Sequence, residues 1–151
     1  MNDMNVARNM EVLLVEDSED DLELTLRAFK RASFTNLIHV ARDGEQGLDF
    51  LFCRGNYADR EFKDAPRLVL LDLKLPKVDG LEVLKQIKSD PRTKSIPVVM
   101  LTSSREQSDL IESQRLGVNS YIVKPVSFDA FNEAIRQLGF YWLLLNEHPQ
   151  I

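Results

Sequence analysis

The sequence predicts an α/β domain in which a five-stranded parallel sheet is doubly wound, with helices on both faces. Five short apolar runs predict buried strands, and segments with helical spacing of apolar residues lie between them. Such alternation needs crossover connections, which make the strands parallel. Ligands of such sheets bind at the carboxyl ends of the strands. The predicted strands are residues 10–15, 37–41, 68–71, 98–101 and 120–123.

The first helix is predicted between the first two strands. Leu22, Leu26 and Phe29 follow one another at three- and four-residue spacing, which places them on one face of a helix. Ser18, followed three residues later by Asp21, is typical of a capping box at a helix start. We therefore expect the helix to begin directly after Ser18.

The sequence also indicates where the later helices lie and where they end. The Asp90-Pro91 pair ends the third helix, and Gly117 suits the left-handed position after the fourth. Residues 54–66 are longer than a usual helix-to-strand link, so they form either an elongated helix end or an added surface loop. The apolar pairs that predict the second and third helices are Leu48 with Leu51 and Leu84 with Ile87.

The composition excludes several classes of protein. The 151 residues have the length of one ordinary domain. Lys and Arg total 19 against 24 Asp and Glu, and the resulting charge of -5 disfavours binding to nucleic-acid phosphates. Cys53 is the single cysteine, and the polar residues 1–9 lack the apolar segment of a signal peptide. We expect a cytoplasmic protein with no membrane passage and no direct nucleic-acid partner.

Polar residues follow four of the five predicted strands. Glu16 and Asp17 follow the first strand, Asp72 the third, Thr102 the fourth and Lys124 the fifth. Taken singly, each has an ordinary explanation as a helix cap, a turn residue or a solvated lysine. Together they indicate a metal site, because three neighbouring carboxylates repel one another and raise one another's pKa unless a cation is present.

The donor atoms of this cluster favour Mg²⁺, with Mn²⁺ as a possible substitute. Carboxylate oxygens without His or Cys suit a hard divalent cation. The three carboxylates carry -3, Lys124 returns +1, and Mg²⁺ brings the formal sum to zero. A neutralised Asp72 would then be able to approach a phosphoryl donor.

Several motifs, taken in order, resemble the receiver domain of two-component response regulators over residues 10–138. The resemblance implies a flavodoxin-like (βα)5 fold with strand order 2-1-3-4-5. It also implies a partner histidine kinase and a chain that catalyses only its own phosphorylation and dephosphorylation. The motifs that carry the resemblance are Glu16-Asp17, Asp72-Leu73-Lys74-Leu75-Pro76, Asp79-Gly80, Leu101-Thr102-Ser103 and Lys124-Pro125.

The resemblance assigns a role to each residue of the acidic cluster. Asp72 would be the phosphorylated nucleophile and, with Asp17, a direct metal ligand. Glu16 would act through a metal-bound water, and the backbone carbonyl of Lys74 would complete the protein ligands. The peptide bond before Pro125 would be cis.

The remaining roles concern the phosphoryl group and its signal. Lys124 would bind the phosphoryl oxygens, and the Thr102 hydroxyl would swing towards them, with Tyr121 as the coupled aromatic switch. Lys74 and Ser104 would tune the lifetime of the phosphate. The output surface would comprise the fourth helix, the fifth strand and the fifth helix.

Two other functions stay open, and one site is excluded. An aspartate-nucleophile phosphohydrolase would also use Asp72 and Mg²⁺, but it usually has a second Asp where this chain has Lys74. An adaptor of the same fold would bind partners without phosphorylation, but such modules usually lose the acid or the lysine. A calcium loop starting at Asp17 is excluded, because its sixth and twelfth positions are Leu22 and Ala28.

The last predicted helix is rich in apolar residues. One stripe at helical spacing should face the core, and it comprises Phe128, Phe131, Ile135, Leu138, Trp142 and Leu145. Further apolar residues lie off this stripe, namely Phe140, Tyr141, Leu143 and Leu144. We expect a second copy of the chain to cover them in a homodimer. The alternative is that Gly139 breaks the helix and the tail folds back over its own domain.

These features lead to a domain organisation. We expect a flexible segment over residues 1–9, one receiver domain with an elongated last helix over residues 10–145, and a short tail over residues 146–151. We expect no effector domain after the receiver domain. The long 54–66 link and the aromatic last helix also resemble the small regulators that partner bacterial and cyanobacterial phytochrome kinases.

Overall fold

The computed structural model describes residues 11–32, 37–103 and 107–146, with side chains only to residue 139. The strands of the described residues form one parallel sheet, in which their order by position in the sequence is 2-1-3-4-5. The predicted fold class and strand order are confirmed. The sheet has five strands in the described residues: β1 (Val12–Val15), β2 (Ile38–Ala41), β3 (Leu68–Asp72), β4 (Val98–Thr102) and β5 (Ser120–Val123).

Helices alternate with the strands and cover both faces of the sheet. The face formed by Leu13, Val15 and their neighbours packs against α2 and α3. The opposite face, which includes Val12 and Leu14, packs against α1 and α5. β1, β3 and β4 are buried throughout, so they appear in the sequence as continuous apolar runs. The helices are α1 (Glu19–Arg31), α2 (Gly44–Leu51), α3 (Gly80–Ser89), α4 (Gln107–Arg115) and α5 (Phe128–Asn146).

The start of α1 follows the prediction only in part. Ser18 is the N-cap, and its hydroxyl accepts a hydrogen bond from the backbone amide of Asp21 at 3.3 Å. The other half of a capping box would be a bond from the Ser18 amide to the Asp21 side chain. That amide instead donates to Glu16 Oε2 at 3.2 Å. The expected capping box is therefore incomplete, and the Asp21 carboxylate is available for another partner.

The segment between α2 and β3 is an added loop rather than a helix extension. α2 ends at Leu51, and the loop contains two short 3-10 turns, Gly55–Tyr57 and Phe62–Asp64. Tyr57 packs edge-on against His39 and Phe50, and its hydroxyl lies 3.1 Å from His39 Nε2. The loop thereby covers part of the edge strand β2. Of the two alternatives for residues 54–66, the structure has the surface loop.

The helix ends follow the sequence signals except in α5. α3 ends at Ser89, directly before Asp90-Pro91, and Gly117 has the left-handed φ of 95°. In α5, Gly139 has non-helical angles (φ 20°, ψ -90°), so two helical pieces meet there at a kink. The expectation of one unbroken helical face as far as Leu145 was therefore wrong. A residue without Cβ can adopt these angles.

The predicted dimer surface lies outside the described side chains. This applies to Phe140, Tyr141, Leu143 and Leu144, whose backbone belongs to α5. Residues 1–10 and 147–151 lie outside the described residues altogether. Among the residues that are described, each helix is too short or too polar to cross a lipid bilayer.

Lys88 ties α3 to the start of β4. Its Nζ donates to the carbonyls of Lys94 (3.1 Å) and Ile96 (2.8 Å) and to Asn119 Oδ1 (3.0 Å). The same Asn119 oxygen accepts from the backbone amide of Val98 at 2.8 Å. Burial lowers the pKa of Lys88 to about 8, from an ordinary value of 10.5. The start of β4 is thus held by a hydrogen-bond network that depends on one lysine.

We predict that Lys88→Met lowers the free energy of unfolding at pH 7 by on the order of 1–3 kcal/mol, because buried acceptors lose their donor. Between pH 8 and 10.5 the unfolded wild type binds the lysine proton more tightly than the folded protein. The free energy of unfolding of the wild type should therefore rise with pH across this window. Urea unfolding at several pH values should show that this rise is absent in Lys88→Met. It should persist in the exposed control Lys94→Met, and equal pH profiles for all three proteins would contradict the assignment.

Candidate functional site

The carboxyl ends of the strands bring the predicted site residues to one edge of the sheet, which we call the strand-end rim (Glu16, Asp17, Asp72, Thr102 and Lys124). Glu16 and Asp17 follow β1, Asp72 and Thr102 end β3 and β4, and Lys124 follows β5. Backbone hydrogen bonds between neighbouring strands continue to this edge. The Glu16 amide donates to Ala41 O at 2.9 Å, and the Lys124 amide donates to Thr102 O at 2.7 Å.

Three carboxylates of the rim lie close enough to share one cation. Glu16, Asp17 and Asp72 each offer an oxygen, and these three oxygens lie within 4.8 Å of one another. Glu16 is fully buried and Asp72 is 4% exposed, whereas Asp17 is open to solvent. Burial raises the pKa of Asp72 to about 7, aided by the hydrogen bond and the charge of Glu16 and opposed by Lys124. A bound cation would relieve this repulsion.

The side chain of Lys124 extends into the acidic cluster. Its Nζ lies 2.9 Å from Glu16 Oε1, 2.9 Å from Asp21 Oδ2 and 3.2 Å from Asp72 Oδ2. Burial by itself lowers the pKa of Lys124. The hydrogen bonds to Asp21 and Glu16, together with the charges of Asp72 and Glu16, outweigh burial and raise that pKa above the ordinary lysine value. The lysine is therefore a permanent cation at this site.

The backbone around Asp72 is closely packed. The Lys74 amide lies 3.4 Å from Asp72 Oδ1, and the Gly80 amide donates to Leu73 O at 3.0 Å. Gly80 is the first residue of α3, and a Cβ there would lie 2.3 Å from the Asp72 carbonyl oxygen. Glycine therefore lets α3 approach the segment that carries Asp72. The Lys124-Pro125 peptide bond is cis, as the resemblance implied.

The other predicted site residues differ in their exposure to solvent. Thr102 is 1% exposed at the end of β4, next to Val123 of β5 in the strand register. Tyr121 is 40% exposed, so its side chain lies on the surface of β5 rather than in the core. Lys74 is exposed beside the rim. Ser104 lies outside the described residues.

Asp21 is a fourth acid at the site, and the sequence analysis assigned it only to a helix cap. It lies in the first turn of α1 and contacts Lys124, 103 positions further along the chain. The available signal was an acid in the first turn of the helix that directly follows the Glu16-Asp17 pair. Four carboxylates and one ammonium leave -3, so a divalent cation leaves a formal charge of -1. The expected neutral sum was therefore wrong.

The donor set fits a hard divalent cation. The three acids that lie together at the rim offer only carboxylate oxygens, and oxygen ligands are those that Mg²⁺ and Mn²⁺ prefer. Lys124 pairs with Glu16 and Asp72, while the Asp17 carboxylate is exposed to solvent. Glu16, Asp17 and Asp72 are therefore the residues that would hold the ion.

The sequence matches the response regulator receiver domain family over residues 12–136. The probable methanogenesis regulatory protein FilR2 of Methanothrix harundinacea is 44% identical to it over 138 residues, which cover 91% of this chain and 86% of the relative. Response regulator Rcp1 of Synechocystis is 39% identical over 132 residues, with 87% and 88% of the two chains covered.

Solved structures of response regulators are also similar to this chain. The bacteriophytochrome response regulator AtBRR is 53% identical, with a TM-score of 0.78 and coverage of 91% of this chain and 98% of that one. The Mn²⁺-bound form of Rcp1 is 36% identical, with a TM-score of 0.74 and coverage of 94% and 98%. The likeness thus extends over nearly the whole length of these regulators.

We predict that Asp17→Asn weakens Mg²⁺ binding by roughly tenfold or more, because one charged oxygen ligand becomes a neutral amide. Isothermal titration calorimetry without any phosphoryl donor measures this affinity directly. Asp20→Asn is the matched control, since Asp20 is an exposed acid in the first turn of α1 and its loss removes the same charge. Equal Mg²⁺ affinities for the two variants would contradict the metal site.

Proposed function

The chain belongs to the response regulator receiver domain family and acts in two-component phosphorelay signalling, and we propose that it accepts a phosphoryl group from a partner histidine kinase on Asp72. One observation carries the choice of residue. Asp72 ends β3 with Oδ2 only 3.2 Å from Lys124 Nζ, and two further carboxylates lie beside it. Asp72 thus borders both the lysine and the candidate metal ligands, and its side chain is less deeply buried than that of Glu16, the other rim acid that contacts the lysine.

The transfer forms one bond and breaks another. A carboxylate oxygen of Asp72 attacks the phosphorus of the donor phosphohistidine, and the O–P bond forms as the N–P bond breaks. The imidazole leaves with the electron pair and takes up a proton. Later, water attacks the same phosphorus and releases phosphate and the Asp72 carboxylate. Receiver domains bind Mg²⁺ or Mn²⁺ in an acidic pocket, and the ion, held here by Glu16, Asp17 and Asp72, would supply electrostatic neutralisation.

Other residues of the rim act on the phosphoryl group in this proposal. The Lys124 ammonium donates to the phosphoryl oxygens, and the Thr102 hydroxyl joins them once the aspartyl phosphate has formed. Lys74 and Ser104 set how long the phosphate lasts, and the Lys74 carbonyl completes the metal ligands. Tyr121 couples the site to the exposed surface of α4, β5 and α5.

The exposed side of α4 and β5 supports an output through protein contacts. Ile111 of α4 is 54% exposed and Tyr121 of β5 is 40% exposed. A phosphate adds a charge of about -1.5 to -2 at the rim, which biases the segment between β4 and α4 and the contacts made by this surface. Chemically, the chain then catalyses only its own phosphorylation and dephosphorylation.

The named relatives support a phytochrome-type sensor kinase as the partner. AtBRR is a bacteriophytochrome response regulator by name, and it is 53% identical to this chain. We propose the same kind of kinase here and, with it, a cytoplasmic location. We also propose one receiver domain over residues 10–145, between the short segments 1–9 and 146–151.

A homodimer through the distal part of α5 completes the proposal. Phe131 and Leu138, on the proximal part of α5, are already buried in the core of their own chain. Covering about 400 Å² of further apolar area would contribute on the order of 10 kcal/mol before the costs of association. The residues assigned to this contact are Phe140, Tyr141, Leu143 and Leu144.

We predict that the wild type incorporates an acid-stable, hydroxylamine-labile phosphate from acetyl phosphate in the presence of Mg²⁺, whereas Asp72→Asn incorporates only background label. The amide is a poor nucleophile and forms no acyl phosphate. Asp20→Asn should label like the wild type. Undiminished labelling of Asp72→Asn would exclude Asp72 as the acceptor. An unlabelled wild type would indicate an adaptor, and many turnovers on external phosphate esters would indicate a phosphohydrolase.

We predict a concentration-dependent dimer in equilibrium sedimentation of the wild type. The double variant Leu143→Asp, Leu144→Asp should be monomeric, because each charge would have to be desolvated at the contact. Leu24→Asp, at a position that is 40% exposed on α1, is the control and should still dimerise. A wild-type monomer at all concentrations would overturn the dimer and favour the tail that folds back over its own domain.

A further inference from the structure

In the unphosphorylated protein the Lys124 ammonium donates a hydrogen bond to Asp21 and lies at ion-pair distance from Glu16 and Asp72. It has three hydrogens to donate, and three carboxylates lie within reach, those of Glu16 and Asp21 at 2.9 Å and that of Asp72 at 3.2 Å. A phosphoryl group on Asp72 adds oxygens that need the same donor. The phosphoryl group therefore competes with these carboxylates for Lys124.

We propose that Asp21 is a positioning residue, which holds Lys124 while Asp72 is unphosphorylated and releases it to the phosphoryl group. This inference rests on the proposed function. The exposed fractions of the three carboxylate side chains single out Asp21: they are 35% for Asp21, 6% for Asp72 and 0% for Glu16. A carboxylate that loses its lysine must be hydrated again, and water reaches Asp21 far more readily than the other two.

The local structure of Asp21 lets it act through its side chain alone. Its backbone amide donates to Ser18 Oγ, so the helix cap does not depend on the carboxylate. Asp21 also lies in the first turn of α1, where the helix dipole stabilises a negative charge. After release, the carboxylate would keep this stabilisation and gain hydration. Release therefore costs less at Asp21 than at a carboxylate buried beneath the rim.

The backbone of Lys124 is fixed while its side chain is free to exchange partners. Its amide donates to Thr102 O at 2.7 Å, which anchors the residue to the end of β4. The exchange thus needs only side-chain rotation. Because the phosphoryl group carries more than one negative charge, it outcompetes the single charge of Asp21 for the ammonium. Until then, Asp21 reduces the attraction that Lys124 offers to an incoming donor.

By holding Lys124, Asp21 slows the phosphorylation of Asp72. With acetyl phosphate, the Asp72 oxygen attacks phosphorus, the P–O bond to the acetyl group breaks, and acetate leaves with the electron pair. Asp21→Asn keeps the size of the side chain and removes its charge, so Lys124 is held less tightly before the transfer. The restraint should therefore disappear in this variant and return in Asp21→Glu, which restores the charge.

The experiment compares initial labelling rates from acetyl phosphate at saturating Mg²⁺. We expect Asp21→Asn to label about threefold to tenfold faster than the wild type, as the loss of a partly exposed ion pair would give. Asp21→Glu should return towards the wild-type rate. The matched control Asp20→Asn, which removes the same charge from the same helix turn, should stay within about twofold of the wild type.

A second measurement reports the ion pair without any reaction. The ¹⁵Nζ resonance of Lys124, assigned with Lys124→Arg and recorded without Mg²⁺ or phosphoryl donor, should shift in Asp21→Asn and stay in place in Asp20→Asn. A folded Asp21→Asn that labels no faster than Asp20→Asn, in a protein whose wild type takes label, would overturn the inference and leave the proposed function standing. A wild type that takes no label would overturn the proposed function and, with it, this role of Asp21.

Discussion

Negative charge held out of water at the strand-end rim is the constraint on which the rest of the site depends. Glu16 is fully buried and Asp72 nearly so, and the two lie beside each other. Such a pair is stable only with positive charge close by. Lys124 provides part of that charge, and a divalent cation held by the remaining carboxylates would provide the rest. Burial, together with the neighbouring Glu16, raises the pKa of Asp72, and a cation bound beside the two carboxylates would favour their charged forms.

The order of the strands explains why these groups meet. β1 pairs with β3 on one side, and β3 pairs with β4 on the other, so the acids after β1 adjoin Asp72. Lys124 follows β5, two strands from Asp72, and its long side chain spans the end of β4. α1 then adds Asp21 from outside the sheet. One lysine therefore connects the first helix, the first strand and the third strand, which makes its choice of partner a natural point of control.

Much of the fold follows from local signals. β1, β3 and β4 are buried on both faces and must be apolar along their whole length, and the apolar runs in the sequence locate all five strands to within two residues at either end. Ser18, Gly117 and the Asp90-Pro91 pair act within one turn of chain, so their effects were predictable. The kink at Gly139 was only one of two alternatives, because periodicity predicts a face and does not reveal where the helix axis changes direction.

The sequence by itself determined which residues form the rim, since side chains that directly follow parallel strands must share one edge of the sheet. It also determined the acidic, oxygen-only chemistry of that edge. Only the tertiary structure decided the partners of Lys124. By local pattern, Asp21 belongs to a helix cap, and an ion pair across 103 positions leaves no periodic trace in the sequence. Burial decided the rest, because solvent access distinguishes Asp21 from Glu16 and Asp72, and no residue type specifies its own exposure.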